Sequence, residues 1–182
     1  MSGYILETKG LTKKFKDQIA VNNVSLSIRE NSVFGLLGPN GAGKSTILKM
    51  ITGIMKPSSG EILFENHPWS RKDLKDIGAL IENPAIYPNL TAIENLKLAC
   101  TLYGLPDARA KEVLNIIDLK KADKKKVKNF SMGMKQRLGL GMAIVNKPKL
   151  LILDEPTNGL DPIGIEELRE LIRSFSSQDM TV

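Results

Sequence analysis

The chain has 182 residues, 42% of them apolar and 25% charged, and a net charge of 26 − 20 = +6. That is an ordinary globular composition at a length that makes one domain with a real core, and the mild positive excess reads as solubility. No stretch approaches the ~20 apolar residues of a membrane span, the first residues do not read as a secretory leader, and the single cysteine, Cys100, excludes an internal disulfide and suits the cytosol.

In chain order, residues 4–9 read as a first strand and residues 13–17 as a polar turn carrying Phe15. Residues 24–28 alternate apolar and polar, as in a half-buried strand. An apolar run at 32–37 then feeds residues 38–46, G-P-N-G-A-G-K-S-T, and a helix starts near Lys44 and stops at Gly53. Residues 57–60 form a turn, 61–64 a strand, 65–68 a loop and 77–81 a short buried strand.

From Thr91 the pattern turns helical. Thr91 and Glu94 have capping-box spacing, followed by Ile93, Leu96, Leu98 and Leu102. A second helix starts at Asp107, and Ser131 caps a third carrying Leu138, Leu140, Met142 and Ile144. Residues 86–146 therefore read as a helical insertion between core segments 1–85 and 147–182 of a single domain. Leu150 to Leu153 is continuously apolar, as in a strand buried on both faces of a parallel sheet. Asp161 and Pro162 start a last helix through Leu168, Leu171, Ile172 and Phe175. Met180-Thr181-Val182 looks like the beginning of another strand, so the chain is expected to be truncated at its C-terminus.

The segment 38–46 fits the phosphate-binding loop G-x-x-x-x-G-K-[ST]. Gly38, Pro39, Asn40, Gly41, Ala42 and Gly43 curl so that backbone N–H groups point at the phosphates, and the helix beyond adds its positive end. Lys44 reaches the β- and γ-phosphates of ATP, Ser45 holds Mg²⁺, and Thr46 completes the loop. Asp154 and Glu155 follow the carboxyl end of the buried strand, where ligands of parallel sheets sit. Asp154 then acts on Mg²⁺, and Glu155 orients or deprotonates the attacking water. Lys120 to Lys128 holds six lysines; a solvated linker is the plain reading, with anionic lipid or nucleic acid as alternatives.

Three ordered motifs, G-P-N-G-A-G-K-S-T at Gly38, F-S-M-G-M-K-Q-R at Phe130 and L-L-I-L-D-E-P at Leu150, resemble those of the ATP-binding subunit of an ABC transporter. The resemblance runs from about Ile5 to the last residue. It implies an α/β fold, a P-loop NTPase core with a mostly parallel sheet, an N-terminal antiparallel part and an inserted helical subdomain. It implies ATP and Mg²⁺, a second ATPase subunit packed head to tail, a separate membrane-spanning permease, and a place on the cytoplasmic face of the membrane. Ser131 and Gly133 would face the γ-phosphate of the opposite subunit, Asp161 would lie at that interface, and Phe15 would stack on adenine. The chain departs from the family where Met132 and Met134 replace a Gly and the Gln of the signature, and where Glu82 takes the place of a metal-facing Gln. The Glu82 variant and its surrounding wording resemble exporters that protect bacteria from bacitracin and lantibiotics. The family's switch histidine has no counterpart, because the one histidine, His67, lies upstream of the helical insertion; weak hydrolysis is expected. Soluble ABC ATPases of ribosomes or DNA, and non-catalytic nucleotide-binding modules, are the alternative readings.

Overall fold

A computed structural model describes residues 3–176 and 179–182. Strands β1 (Tyr4–Phe15) and β2 (Gln18–Arg29) form a long antiparallel hairpin, turned at Lys16 with φ 46° and closed by the pair Phe15–Gln18. Both strands outrun the expectation. The lysines at 9, 13 and 14 face away from the core, and irregularities in register after Thr8 keep the pairing going. β3 (Ser59–Phe64) joins the other edge of β1, and the two-residue β4 (His67–Pro68) adds to β3, so the sheet order is β2-β1-β3-β4, all antiparallel. The turn expected at 57–60 is thus half strand, and His67 pairs with Phe64 instead of lying in a loop.

The parallel part is built on β5 (Ile77–Leu80) and β6 (Leu150–Leu153), in register from Ile77–Leu150 to Leu80–Leu153. Thr181 pairs in parallel with Leu150, which bears out the strand-like reading of residues 180–182. The run at 32–37 is not a regular strand. Among the described residues its backbone exchanges bonds with Val182 alone, Phe34 N–H donating to Val182 O (2.7 Å) and Val182 N–H to Ser32 O (2.9 Å). A strand exists only where a neighbour offers a ladder, and one residue does not make one.

Helix α1 (Lys44–Ile51) lays Ile47, Met50 and Ile51 on the antiparallel sheet, in a core with Leu6, Leu11 and Phe64. The insertion supplies α2 (Ala92–Leu102), α3 (Asp107–Ile116) and α4 (Met132–Ile144). The expected capping box closes α2. Thr91 N–H and its hydroxyl donate to Glu94 and hold that carboxyl below its ordinary pKa, while Thr91 Oγ1 accepts from Glu94 N–H. α4 is buried nearly all round and packs Leu138, Leu140 and Ile144 among Leu96, Val113 and Ile117; each such side chain contributes about 1.5–3 kcal/mol. α5 (Pro162–Ser176) joins the same core through Leu168 and Phe175, so this cluster ties the helices of the insertion to β6 and α5.

Candidate active site

The phosphate loop meets α1 at Gly43, whose φ of 88° places it as N-cap without a side-chain cap. Ile47 is the first helical residue to donate back, to Gly43 O at 2.9 Å. Among the described residues, the N–H groups of Lys44, Ser45 and Thr46 therefore have no protein acceptor, and no acid stands in the first turn. Uncapped donors at the positive end of a helix fit an anion. Lys44 folds over the loop, its Nζ donating to Gly38 O (2.9 Å) and Pro39 O (3.0 Å), and Ala42 N–H donates to Pro39 O (3.2 Å). These donors open on a cleft of about 370 Å³ lined by Asn40, Gly41, Gly43 to Thr46, Glu155 and residues 18–20 at the start of β2. Phe15 does not line this cleft. It pairs with Gln18, which does, and is 44% exposed with Lys13 Nζ 5.1 Å from its ring centroid.

Asp154 follows β6, is 8% exposed, and donates its N–H to Leu80 O (2.9 Å), which locks it beside the end of β5. Glu155 turns away through a φ of 47° and accepts from Asn158 Nδ2 at 2.5 Å. Glu82, two residues beyond β5, also has a positive φ, 60°. Such backbone re-aims a side chain at the end of a strand. A second cleft, about 380 Å³, brings Ser45, Glu82, Asp154, Glu155 and Asn158 together. Three segments far apart in sequence thus converge on one cleft. Glu82, however, is engaged: its Oε1 lies 2.5 Å from Lys49 Nζ. The sequence reading did not find Lys49 or the Asn158–Glu155 bond; Lys49 lies one helical turn beyond Ser45, which was the available signal.

The residue set suits Mg²⁺. Among the described residues no group of three or more acidic, His or Cys side chains forms an all-protein metal cage. A hydroxyl and one or two carboxylates beside a phosphate cradle are what this cation uses, since it keeps waters and takes the rest of its ligands from phosphate.

Ser131 and Gly133 lie elsewhere. Ser131 is the N-cap of α4, accepting from Met134 N–H (3.3 Å), and Asp161 Oδ1 accepts from Gly164 N–H (2.8 Å) at the start of α5. With Leu160 and Ile163 they line a cleft of about 590 Å³ that excludes the phosphate loop. His67 is turned to Asp73, its Nε2 3.0 Å from Oδ1.

A family model described as ABC transporter matches residues 21–158. The chain is 51% identical over 178 residues to the lantibiotic transport ATP-binding protein SrtF of Streptococcus pyogenes, spanning 98% of this chain and 78% of that protein. It is 46% identical over 178 residues to the bacitracin transport ATP-binding protein BcrA of Bacillus licheniformis, spanning 96% of this chain and 58% of that protein. The solved structure of cbiO1 from Clostridium perfringens, part of the ABC transporter complex cbiONQ, superposes with a TM-score of 0.86 at 31% identity over 98% of this chain and 76% of that one. The chain belongs to the ABC transporter family and carries that family's ATPase domain.

Proposed function

We propose that this chain is the ATP-hydrolysing subunit of an exporter of antimicrobial peptides of the lantibiotic or bacitracin type, peripheral to the cytoplasmic face of the membrane. The cargo class rests on the identity to SrtF and BcrA. The chemistry rests on one observation: Ser45, Glu82, Asp154 and Glu155 share a cleft beside a helix start whose donors have no protein acceptor.

In this reading the loop from Gly38 to Thr46 and the α1 N–H groups bind the phosphates, and Lys44 exchanges its two carbonyls for phosphate oxygens. Ser45 and Asp154 would hold Mg²⁺, with Glu82 available once Lys49 releases it; the ion would neutralise charge on the phosphate oxygens. Glu155, held by Asn158, orients the attacking water and draws its proton. Phe15, next to Gln18, stacks on adenine after Lys13 swings away. Ser131, Gly133 and Asp161 present a separate face to a second ATPase subunit packed head to tail, whose phosphate loop they complete. Segments 1–85 and 147–182 act as the core against which insertion 86–146 moves, and the groove at residues 82–90 takes a segment of a membrane-embedded permease. His67 is held by Asp73, so this imidazole does not serve the γ-phosphate.

The experiment is co-purification of the tagged protein from detergent-solubilised native membranes, with the Glu155→Gln variant alongside. A stoichiometric polytopic membrane protein, and a variant that binds ATP without turnover, are expected. Recovery with ribosomes or DNA in the soluble fraction would overturn the exporter reading; undiminished turnover in the variant would overturn the role of Glu155.

A further inference from the structure

The six lysines at 120, 121, 124, 125, 126 and 128 are all exposed, and among the described residues none of them forms a salt bridge, although the charge of Lys126 reaches Glu94. With Asp123 the stretch carries 6 − 1 = +5, against +6 for the whole chain. It is not a free tether. Two short 3-10 turns, Lys120–Ala122 and Val127–Asn129, are pinned from beneath by Leu119 (3% exposed) and Val127 (0%) in the helical core. The backbone is also tied to one neighbouring loop. Lys128 N–H donates to Pro88 O (2.8 Å), Val127 N–H to Leu90 O (2.9 Å), and Lys126 bridges Thr91. Fixed in this way, the end of the run, Lys126 to Lys128, borders residues 88–91, the edge of the segment 82–90 that the proposed permease would occupy.

We propose that this lysine rim is an electrostatic contact for the anionic surface of the membrane beside the permease. The proposal takes from the exporter reading only the direction in which this face is turned. The chemistry of the rim selects the occupant. Every cation in it is Lys and none is Arg. Specific protein interfaces are depleted in Lys and enriched in Arg and aromatics, and bidentate recognition of phosphate groups uses the guanidinium fork. A single-stranded nucleic acid platform interleaves aromatics with its cations, whereas the one aromatic following the run, Phe130, is buried. Lys121 borders the 590 Å³ cleft of Ser131 and Asp161, while the other five lysines line none of the clefts described above. Point charges on flexible stems match a diffuse anionic surface, and clusters of four to eight Lys or Arg are a sequence-readable form of anionic-lipid contact.

The test is cosedimentation of the chain with phosphatidylcholine vesicles, with and without phosphatidylglycerol, at low and high salt. Binding to the phosphatidylglycerol vesicles alone, lost as salt rises, is expected. Each lysine near an anionic surface is worth about a fivefold change in partitioning. The triple variant Lys120→Gln, Lys124→Gln, Lys125→Gln should therefore lose on the order of 100-fold. The triple variant Lys9→Gln, Lys72→Gln, Lys111→Gln has the same net charge from exposed lysines elsewhere and should keep its binding. Both should bind ATP as the parent does. Equal binding to the two vesicle types, equal loss in the two variants, or tighter binding to RNA or duplex DNA than to vesicles would overturn the proposal. So would loss of permease co-purification in the first variant with vesicle binding intact, which would assign the rim to an acidic segment of the permease. Failure to recover any permease with the parent protein, by contrast, bears on the exporter reading and not on vesicle binding.

Discussion

Two glycines of the phosphate loop share a left-handed backbone and differ in their surroundings, which makes a controlled experiment. Gly41 has a φ of 80° and Gly43 a φ of 88°, so an alanine at either pays the left-handed penalty of about 1–2 kcal/mol. At Gly41 a Cβ meets nothing within 4 Å. At Gly43 it would lie 2.4 Å from Ala20 O and 3.1 Å from Val21 Cγ2. The first of these atoms is backbone, flanked by Ile19 and Val21, which pair with Lys14 and Lys13 of β1, so the loop must move and not the obstacle. Forced overpacking of this kind costs typically about 1–3 kcal/mol more. A chain of this size loses about 2–4 °C of melting temperature per kcal/mol. Gly43→Ala should thus melt several degrees below Gly41→Ala in nucleotide-free thermal scans, and both below the parent. The same displacement draws the α1 donors off their aim, so Gly43→Ala should also weaken ATP binding at least tenfold, read by titration with a fluorescent nucleotide. A Gly43→Ala protein that melts at or above Gly41→Ala would show that the loop is not braced against Ala20 and would refute the reasoning.

Three further outcomes can be checked separately. Asn95 is fully buried and makes three bonds to one loop, accepting from Tyr87 N–H (2.7 Å) and donating to Tyr87 O (3.1 Å) and Thr91 O (2.9 Å); Asn95→Ala should cost about 2–3 kcal/mol in urea unfolding, and an unchanged midpoint would discount the clamp. Arg109 closes the end of α4 through Val145 O and Ile144 O, both at 2.8 Å, so Arg109→Leu leaves two buried carbonyls unpaired and should destabilise by about 2–4 kcal/mol, measured in the same way. The His67–Asp73 pair should show in the pH dependence of the difference in melting temperature between parent and His67→Gln. The hydrogen bond to Asp73 raises His67, so its contribution is full below the ordinary 6.5 and fades as pH rises through the raised value. Burial would raise Asp73, but Ser70 N–H, the His67 ring and the Ser70 hydroxyl outweigh it and lower the carboxyl, so its contribution is present above the ordinary 3.8 and is lost as pH falls through the lowered value. The difference should peak between those limits and be small, since the ring is half exposed; a maximum at alkaline pH would contradict the pairing.

The sequence by itself determined the local chemistry. A phosphate loop is recognisable because glycines, a lysine and a hydroxyl are needed at fixed spacing, and the Thr91, Ser131 and Asp161 caps because a helix start needs a short acceptor. The order of the helices and of most strands followed from periodicity, which is also local, and the α/β class was implied by the motifs' resemblance. Tertiary structure decided what depends on neighbours. Residues 32–37 have strand composition, yet among the described residues they exchange backbone bonds only with Val182, while β1 runs on through Lys13 and Lys14 because β2 supplies its hydrogen bonds. Lys49 on Glu82 joins side chains 33 residues apart, and Asn158 reaches Glu155 only through the turn at Glu155, so both contacts needed the fold. The lysine run took on meaning only when Leu119 and Val127 sank into the core and its backbone was tied to Pro88 and Leu90, because a charge acts where the fold holds it.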